Sequence, residues 1–140
     1  MDRIEEGLEV ILSSVIGNIE SGDWENASLN VCALNKMISI QSFYEEKGNF
    51  ISFDPEKNGM DVTMKLKKLR EEMYVLSPGK GAWYTAMFTV TSSGKFESVF
   101  DYDNKPDFTY EPSKDKYIDD LRVFPREEGL TPQWLKEMYD

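Results

Sequence analysis

The stretch Trp83–Tyr102, WYTAMFTVTSSGKFESVFDY, decides the fold. Its first half alternates without a break. Trp83, Thr85, Met87 and Thr89 fall on one side, and Tyr84, Ala86, Phe88 and Val90 on the other, the period-two pattern of a strand. Ser92-Ser93-Gly94 makes a tight turn. The chain then returns over Phe96–Tyr102, with Phe96, Phe100 and Tyr102 on one side and Glu97, Val99 and Asp101 on the other. Two alternating runs joined by a short glycine-containing turn read as an antiparallel β-hairpin.

Working outward, three shorter strands precede this hairpin. Ala27, Leu29, Val31 and Ala33 alternate with Ser28, Asn30 and Cys32. A run from about Met37 to Tyr44 sets Ile38 and Ile40 on one face and Met37 and Phe43 on the other. Glu45–Asn49 (EEKGN) supplies a turn, and Phe50–Phe53 is the third strand. Helical spacing flanks them. Ile4, Leu8, Ile11, Leu12, Val15, Ile16 and Ile19 predict a helix over 3–19, capped by Asp2 with Glu5 completing a capping box, and ended by Gly22. Val62, Leu66, Leu69, Met73 and Leu76 form the seam of a second helix that begins after Asn58-Gly59. Lys65, Lys67, Lys68 and Arg70 are expected on its other faces, and Ser77-Pro78-Gly79 stops it.

Downstream of the hairpin the chain is turn-rich, then helical. Ser113 can cap a helix carrying Tyr117, Ile118, Leu121 and Phe124, and Thr131-Pro132 starts a last short helix anchored by Trp134, Leu135 and Met138. The order α-β-β-β-α-β-β-α, with a further terminal turn, predicts an α+β fold: a two-layer sandwich of one antiparallel sheet with helices packed against it. With 140 residues, no internal repeat and no long linker, a single domain over 1–140 is expected.

Composition narrows the function. The chain has 26 acidic and 16 basic residues, net charge −10, no histidine and one cysteine. Histidine is the usual general base and the commonest metal ligand, so the usual triads, HExxH zinc sites and Cys/His fingers are excluded. Cys32 alone cannot form an internal disulfide, which fits a reducing compartment. The opening MDRIEEGLEV has acids where a secretory signal needs basic residues, and no apolar run approaches the roughly 18 residues of a bilayer span. A cytoplasmic protein with no membrane contact is expected. Charge is uneven: residues 1–56 carry net −8, 57–100 net +3 and 101–140 net −5. Such a surface repels phosphate backbones and favours a basic partner over nucleic acid.

Several stretches resemble chemical motifs without completing them. Asp54-Pro-Glu-Lys-Asn58-Gly59 starts like a calcium loop, but its twelfth position is Lys65, where a bidentate carboxylate is needed. Ser77-Pro-Gly-Lys-Gly81 lacks Walker spacing and follows a helix. Cys32 has no activating neighbour in sequence. Asp101, Asp103 and Asp107 could cluster around magnesium, but Lys105 and Pro106 interrupt them.

Ala82–Val90 (AWYTAMFTV), the Gly94-Lys95-Phe96 turn and Phe100-Asp101-Tyr102-Asp103 resemble the central signature of the YezG-like immunity protein (antitoxin) family. In that family a tryptophan opens a strand, a Gly-Lys hairpin follows, and the return strand ends in Phe-Asp-Tyr. Lys116–Arg126 (KYIDDLRVFPR) and Pro132-Gln-Trp-Leu135 are similar to the ending of some members, so the resemblance is most specific over 82–135. It implies a non-catalytic protein without a cofactor. Such a protein would bind and neutralise a cognate secreted polymorphic toxin, often a nuclease domain, inside the cytoplasm.

Under that reading, Asp101, Asp103 and Asp107 of the acidic loop and Glu111, Asp115, Asp119 and Asp120 of the acidic helix face are candidate toxin contacts. Tyr102, Tyr110 and Trp134 are candidate aromatic anchors. Two alternatives stay open: a carboxylate-based divalent-metal protein or hydrolase built on Asp101, Asp103 and Asp107, and a general acidic interaction module; under any of these readings, a homodimer could cover an apolar sheet face.

Overall fold

Each alternating run becomes a strand and each 3.6-period run a helix. The computed structural model describes residues 3–139, so Asp2 and its capping box lie outside the described residues. The elements are α1 (Arg3–Ile16), β1 (Asn26–Leu34), β2 (Met37–Glu46), β3 (Asn49–Ser52), α2 (Val62–Leu76), β4 (Thr85–Thr91), β5 (Phe96–Asp101), α3 (Lys114–Val123) and α4 (Gln133–Lys136), with short 3-10 turns at Pro78–Lys80, Glu128–Leu130 and Glu137–Tyr139. The five strands form one antiparallel sheet in the order β3-β2-β1-β4-β5, so the fold is α+β in the expected element order. The β2–β3 turn is tighter than EEKGN suggests. Both strands run into it, leaving Lys47 and Gly48 at positive φ, as a two-residue hairpin turn requires.

The hydrophobic core lies between one sheet face and two helices. Leu29 and Val31 of β1, and Ala86, Phe88 and Val90 of β4, pack against Leu8, Ile11, Leu12 and Val15 of α1 and Val62, Leu66 and Leu69 of α2. α1 stops at Ile16, short of Ile19. There Asn18 is buried, and its side-chain amide donates to the Ser14 and Pro55 carbonyls while its Oδ1 accepts from the Asn58 backbone N–H. The calcium-like stretch is thus a connector. Asn58 donates back to Ser14, Glu56 accepts from the Val62 N–H at 2.8 Å, and Asp61 caps α2 by accepting from the Met64 N–H at 3.0 Å.

A second, smaller core of Leu34, Tyr84, Phe108, Tyr117 and Leu135 closes one end of the sheet. Here the alternation expected around Trp83 breaks. Trp83 joins the main core with Ala86 and Phe88, whereas Tyr84 joins the second. The reason is that β4 begins only at Thr85 and the chain bends at Tyr84. Leu76, expected in the α2 seam, is exposed at the helix end. Ser113 occupies the cap position of α3 without a side-chain bond. Pro132 itself, in place of Thr131, caps α4, while the Thr131 hydroxyl donates to the Glu127 carbonyl.

One buried ion pair joins the two cores. Arg70, expected on an outer face of α2, is 2% exposed, and Asp120, expected on the α3 surface, is 1% exposed. Arg70 Nη1 donates to Asp120 Oδ1 at 2.6 Å, Nη2 to Oδ2 at 3.1 Å, and Nε to the Trp83 carbonyl at 2.6 Å. The guanidinium also lies over the rings of Trp83, Tyr84 and Phe124. Desolvating both charges is costly, and the bidentate geometry with a third acceptor offsets that cost.

Candidate protein-binding face

The side chains that alternate away from α1 and α2 form the opposite face of the sheet. Its register is read directly from the strand pairs. Gln41, Asn30, Met87 and Val99 lie in one row across four strands; Phe43, Ser28, Thr89 and Glu97 lie in the next. A third row holds Ser39, Cys32, Thr85 and Asp101, and Phe50 of β3 stands beside Glu45. This face is polar in composition except at a few positions. Phe50 is 73% exposed, Val99 62% and Met87 50%, and Met87 and Val99 are direct cross-strand partners.

Past β5 the chain crosses one end of this face. Phe108 enters the second core, Gln41 Nε2 donates to Thr109 Oγ1 at 3.3 Å, and Asp107 lies near Cys32. The crossing segment and the strands bound a hollow of about 370 Å³, lined by Asn30, Gln41, Met87, Asp101, Lys105 and Asp107 among others. A second hollow of about 370 Å³ lies on the same face, between Ser28, Phe43, Glu45, Phe50 and Thr89. Among the described residues, Lys105 is the one cation lining either hollow, and Glu111 pairs with it at 3.2 Å. The face is therefore acidic at its margins and apolar at Phe50, Met87 and Val99. A separate groove of about 310 Å³ between α1 and α2 has mixed charge, with Arg3, Lys65 and Lys68 beside Glu6 and Glu72.

The residues singled out from sequence divide into three groups. Asp103, Asp107, Tyr110, Glu111 and Asp115 are exposed on the segment after β5. Asp101, Tyr102, Asp119 and Trp134 are committed to local structure. Asp101 accepts from the Asp103 and Asn104 backbone N–H groups, both at 3.0 Å, and from Asn104 Nδ2 at 2.9 Å. Asp119 accepts from Asn35 at 2.9 Å and from Arg122 at 2.6 Å. Tyr102 is half-buried beneath the Lys80 ammonium, 4.3 Å from its ring centre. Trp134 packs edge-on to Tyr84 and Tyr117 and donates its indole N–H to the Asp103 carbonyl at 2.7 Å. Asp120 forms the third group alone. Its burial against Arg70 is a correction to its expected place as a surface contact, since α3 turns that side of the helix inward.

No family model matches the chain, and no curated protein matches it.

The Asp101, Asp103 and Asp107 carboxylates do not converge. Among the described residues, no group of three or more Cys, Asp or Glu side chains is placed to hold a metal ion. Asp101 spends its oxygens on the turn, and Asp103 is exposed, 3.9 Å from the Arg126 guanidinium. Burial pushes the Cys32 thiol up, which keeps it protonated and a poor nucleophile. The Walker-like turn carries no phosphate cradle either. The Lys80 carbonyl accepts from Arg126, and Gly81, at φ 78°, leaves room for that guanidinium where a Cβ would lie 2.7 Å from Nε. Among the described residues, no helix is long and apolar enough to cross a membrane.

Three carboxylates, Glu20, Asp101 and Asp119, are held below their ordinary range, Glu20 by Lys57. The Asn104 backbone N–H holds the Asp101 carboxyl below its ordinary range, and the Asn35 amide, with Arg122 and Lys36, does the same for Asp119. A carboxyl depressed in the folded state stabilises the fold above its unfolded pKa, and loses that contribution as pH falls through the folded value. Melting temperature is therefore expected to hold from neutral pH down to about pH 5 and to fall below about pH 4. The double variant Asp101→Asn/Asp119→Asn should show a shallower fall. An identical acid profile for variant and wild type would reject this assignment.

The residues that sequence reasoning passed over are Phe50, Met87, Val99, Glu45 and Glu97. A signal for two of them was present. Met87 stands between Thr85 and Thr89, and Val99 between Glu97 and Asp101, each an apolar residue flanked by polar ones at i±2.

Proposed function

We propose that this chain is an immunity protein that binds and neutralises a cognate secreted toxin domain, a basic nuclease, in the cytoplasm, and does no chemistry of its own. The observation that carries this reading is the sheet face opposite α1 and α2. It is wide, carries exposed Phe50, Met87 and Val99, and is bordered by carboxylates. Met87 and Val99 are cross-strand neighbours, with Phe50 apart from them on the edge strand, and exposed apolar groups rimmed by polar ones mark interaction surfaces. A nuclease presents arginines and lysines to its substrate phosphates, and an acidic protein complements that surface. The net charge of −10 and the resemblance of residues 82–135 to the YezG-like immunity signature point the same way.

The test is to mix the purified protein with the toxin domain encoded beside its gene, and to co-express the two. A tight complex that forms more slowly as salt rises, together with rescued growth, is the expected result. If the protein neither binds that domain nor protects cells from it, the reading fails.

A further inference from the structure

Resting on the reading above, we infer that the toxin domain docks on the open sheet face. Its apolar contact is the Met87–Val99 pair, with Phe50 at the β3 edge, and its cationic side chains meet Glu97, Glu45 and Asp107 around that pair. Met87 and Val99 are opposite residues on neighbouring strands, each at least half exposed. Along β5 this face presents Glu97, Val99 and Asp101 in succession, so carboxylates flank the apolar pair on both sides. Glu45 stands at the second hollow and Asp107 at the first.

Charge selects the occupant. Lys105, the one cation at either hollow among the described residues, is already paired with Glu111. A second copy of this chain would set Glu45, Glu97 and Asp107 against their own kind across a symmetric interface, which like-charge repulsion opposes. A domain with basic side chains around an apolar ridge satisfies both parts of the face. Such a domain would bury Met87 and Val99 at the centre of the contact, where truncation costs most, and leave the charges at the rim to set rate and specificity.

The probe is the toxin domain encoded beside the gene, titrated by calorimetry with full-length protein. Met87→Lys/Val99→Lys is expected to weaken binding by about 30-fold or more, the scale of lost hot-spot residues. The control Val10→Lys, exposed at the groove between α1 and α2 on the other side of the sheet, should stay within about twofold, as surface positions outside an interface do. Glu45→Gln/Glu97→Gln should flatten the salt dependence of the association rate. Circular dichroism and thermal melts confirm that each variant is folded. If wild type binds and the Met87/Val99 variant binds within about threefold of it, the docking surface is wrong while the function stands. If wild type is a dimer that this variant dissociates, the face belongs to a second copy and the inference is overturned. If wild type does not bind the domain at all, the proposed function fails and the docking assignment falls with it.

Discussion

Asp120→Asn is expected to destabilise the protein by about 3–5 kcal/mol, because removing one charge from a buried pair leaves the other in the interior without compensation. Arg70 is held by two bonds to that carboxylate and one to the Trp83 carbonyl, and water reaches neither side chain. A domain of this size is stable by only about 5–15 kcal/mol, so the loss is a large share of the total. Arg70→Met strands the carboxylate in the same way. The double variant Arg70→Met/Asp120→Leu should recover most of either loss, since apolar replacement of a whole buried pair is often neutral or better. Urea unfolding of wild type, Arg70→Met, Asp120→Leu and Arg70→Met/Asp120→Leu measures this as a double-mutant cycle. A single-variant cost below about 1 kcal/mol is what an exposed pair gives, and would place Arg70 and Asp120 at the surface.

The second large effect is at Trp83. Trp83→Ala should cost about 3–5 kcal/mol, the range for a large aromatic removed from a core. Trp83 is fully buried, packs on Phe100 with ring centres 5.5 Å apart, and lies beneath the Arg70 guanidinium. Its indole N–H is buried and meets no acceptor among the described residues. That makes Trp83→Phe informative, because it deletes an unpaired donor together with part of the volume. It should cost well under half of the alanine value, and a loss as large as that for alanine would show that the indole nitrogen has a partner. Calorimetric unfolding of the two variants separates these outcomes.

Both effects centre on residues whose type or position the sequence displayed only in part. The period-two runs over 27–33 and 85–91 were legible because both strands are central and bury one face, so their apolar set had to fall on one side. Trp83 and Tyr84 were not, because a bend just before a strand reverses the sense of alternation without changing composition. Arg70 and Asp120 were misplaced for another reason. A charged side chain in a helix reads as solvated unless its partner is known, and these partners lie on different helices. A trace of the pair did exist. Arg70 is four residues after Leu66 and three before Met73, and Asp120 is three after Tyr117 and four before Phe124, so both fall on apolar stripes. Two opposite charges, each in the buried register of its own helix, are the pattern that announces such a pair.

The candidate binding face was half legible. The alternation set Met87 with Thr85 and Thr89, and Val99 with Glu97 and Asp101, but pattern alone neither paired the two sets across the hairpin nor said whether a helix later covers them. Residues 103–112 have no periodicity, and only their packing shows that they cross just one end of it. The acidic C-terminal segment was conspicuous by composition. Part of it, however, is spent on capping the turn at Asp101, on Asn35 and Arg122 through Asp119, and on Arg70 through Asp120.

The Arg70–Asp120 pair also orders events in time. The ribosome makes Arg70 fifty residues before its counterion. At about 5–20 residues per second, the interval is roughly 3–10 s. Throughout it, α2 carries a guanidinium that cannot enter the core without a carboxylate to meet it. β4 and β5 are synthesised in that window, after β1, β2 and β3, yet the sheet cannot be sealed under the C-terminal part of α2. Closure waits for α3. A chain that ends before Asp120 lacks the carboxylate that compensates Arg70, and is expected to keep an open seam between its two cores.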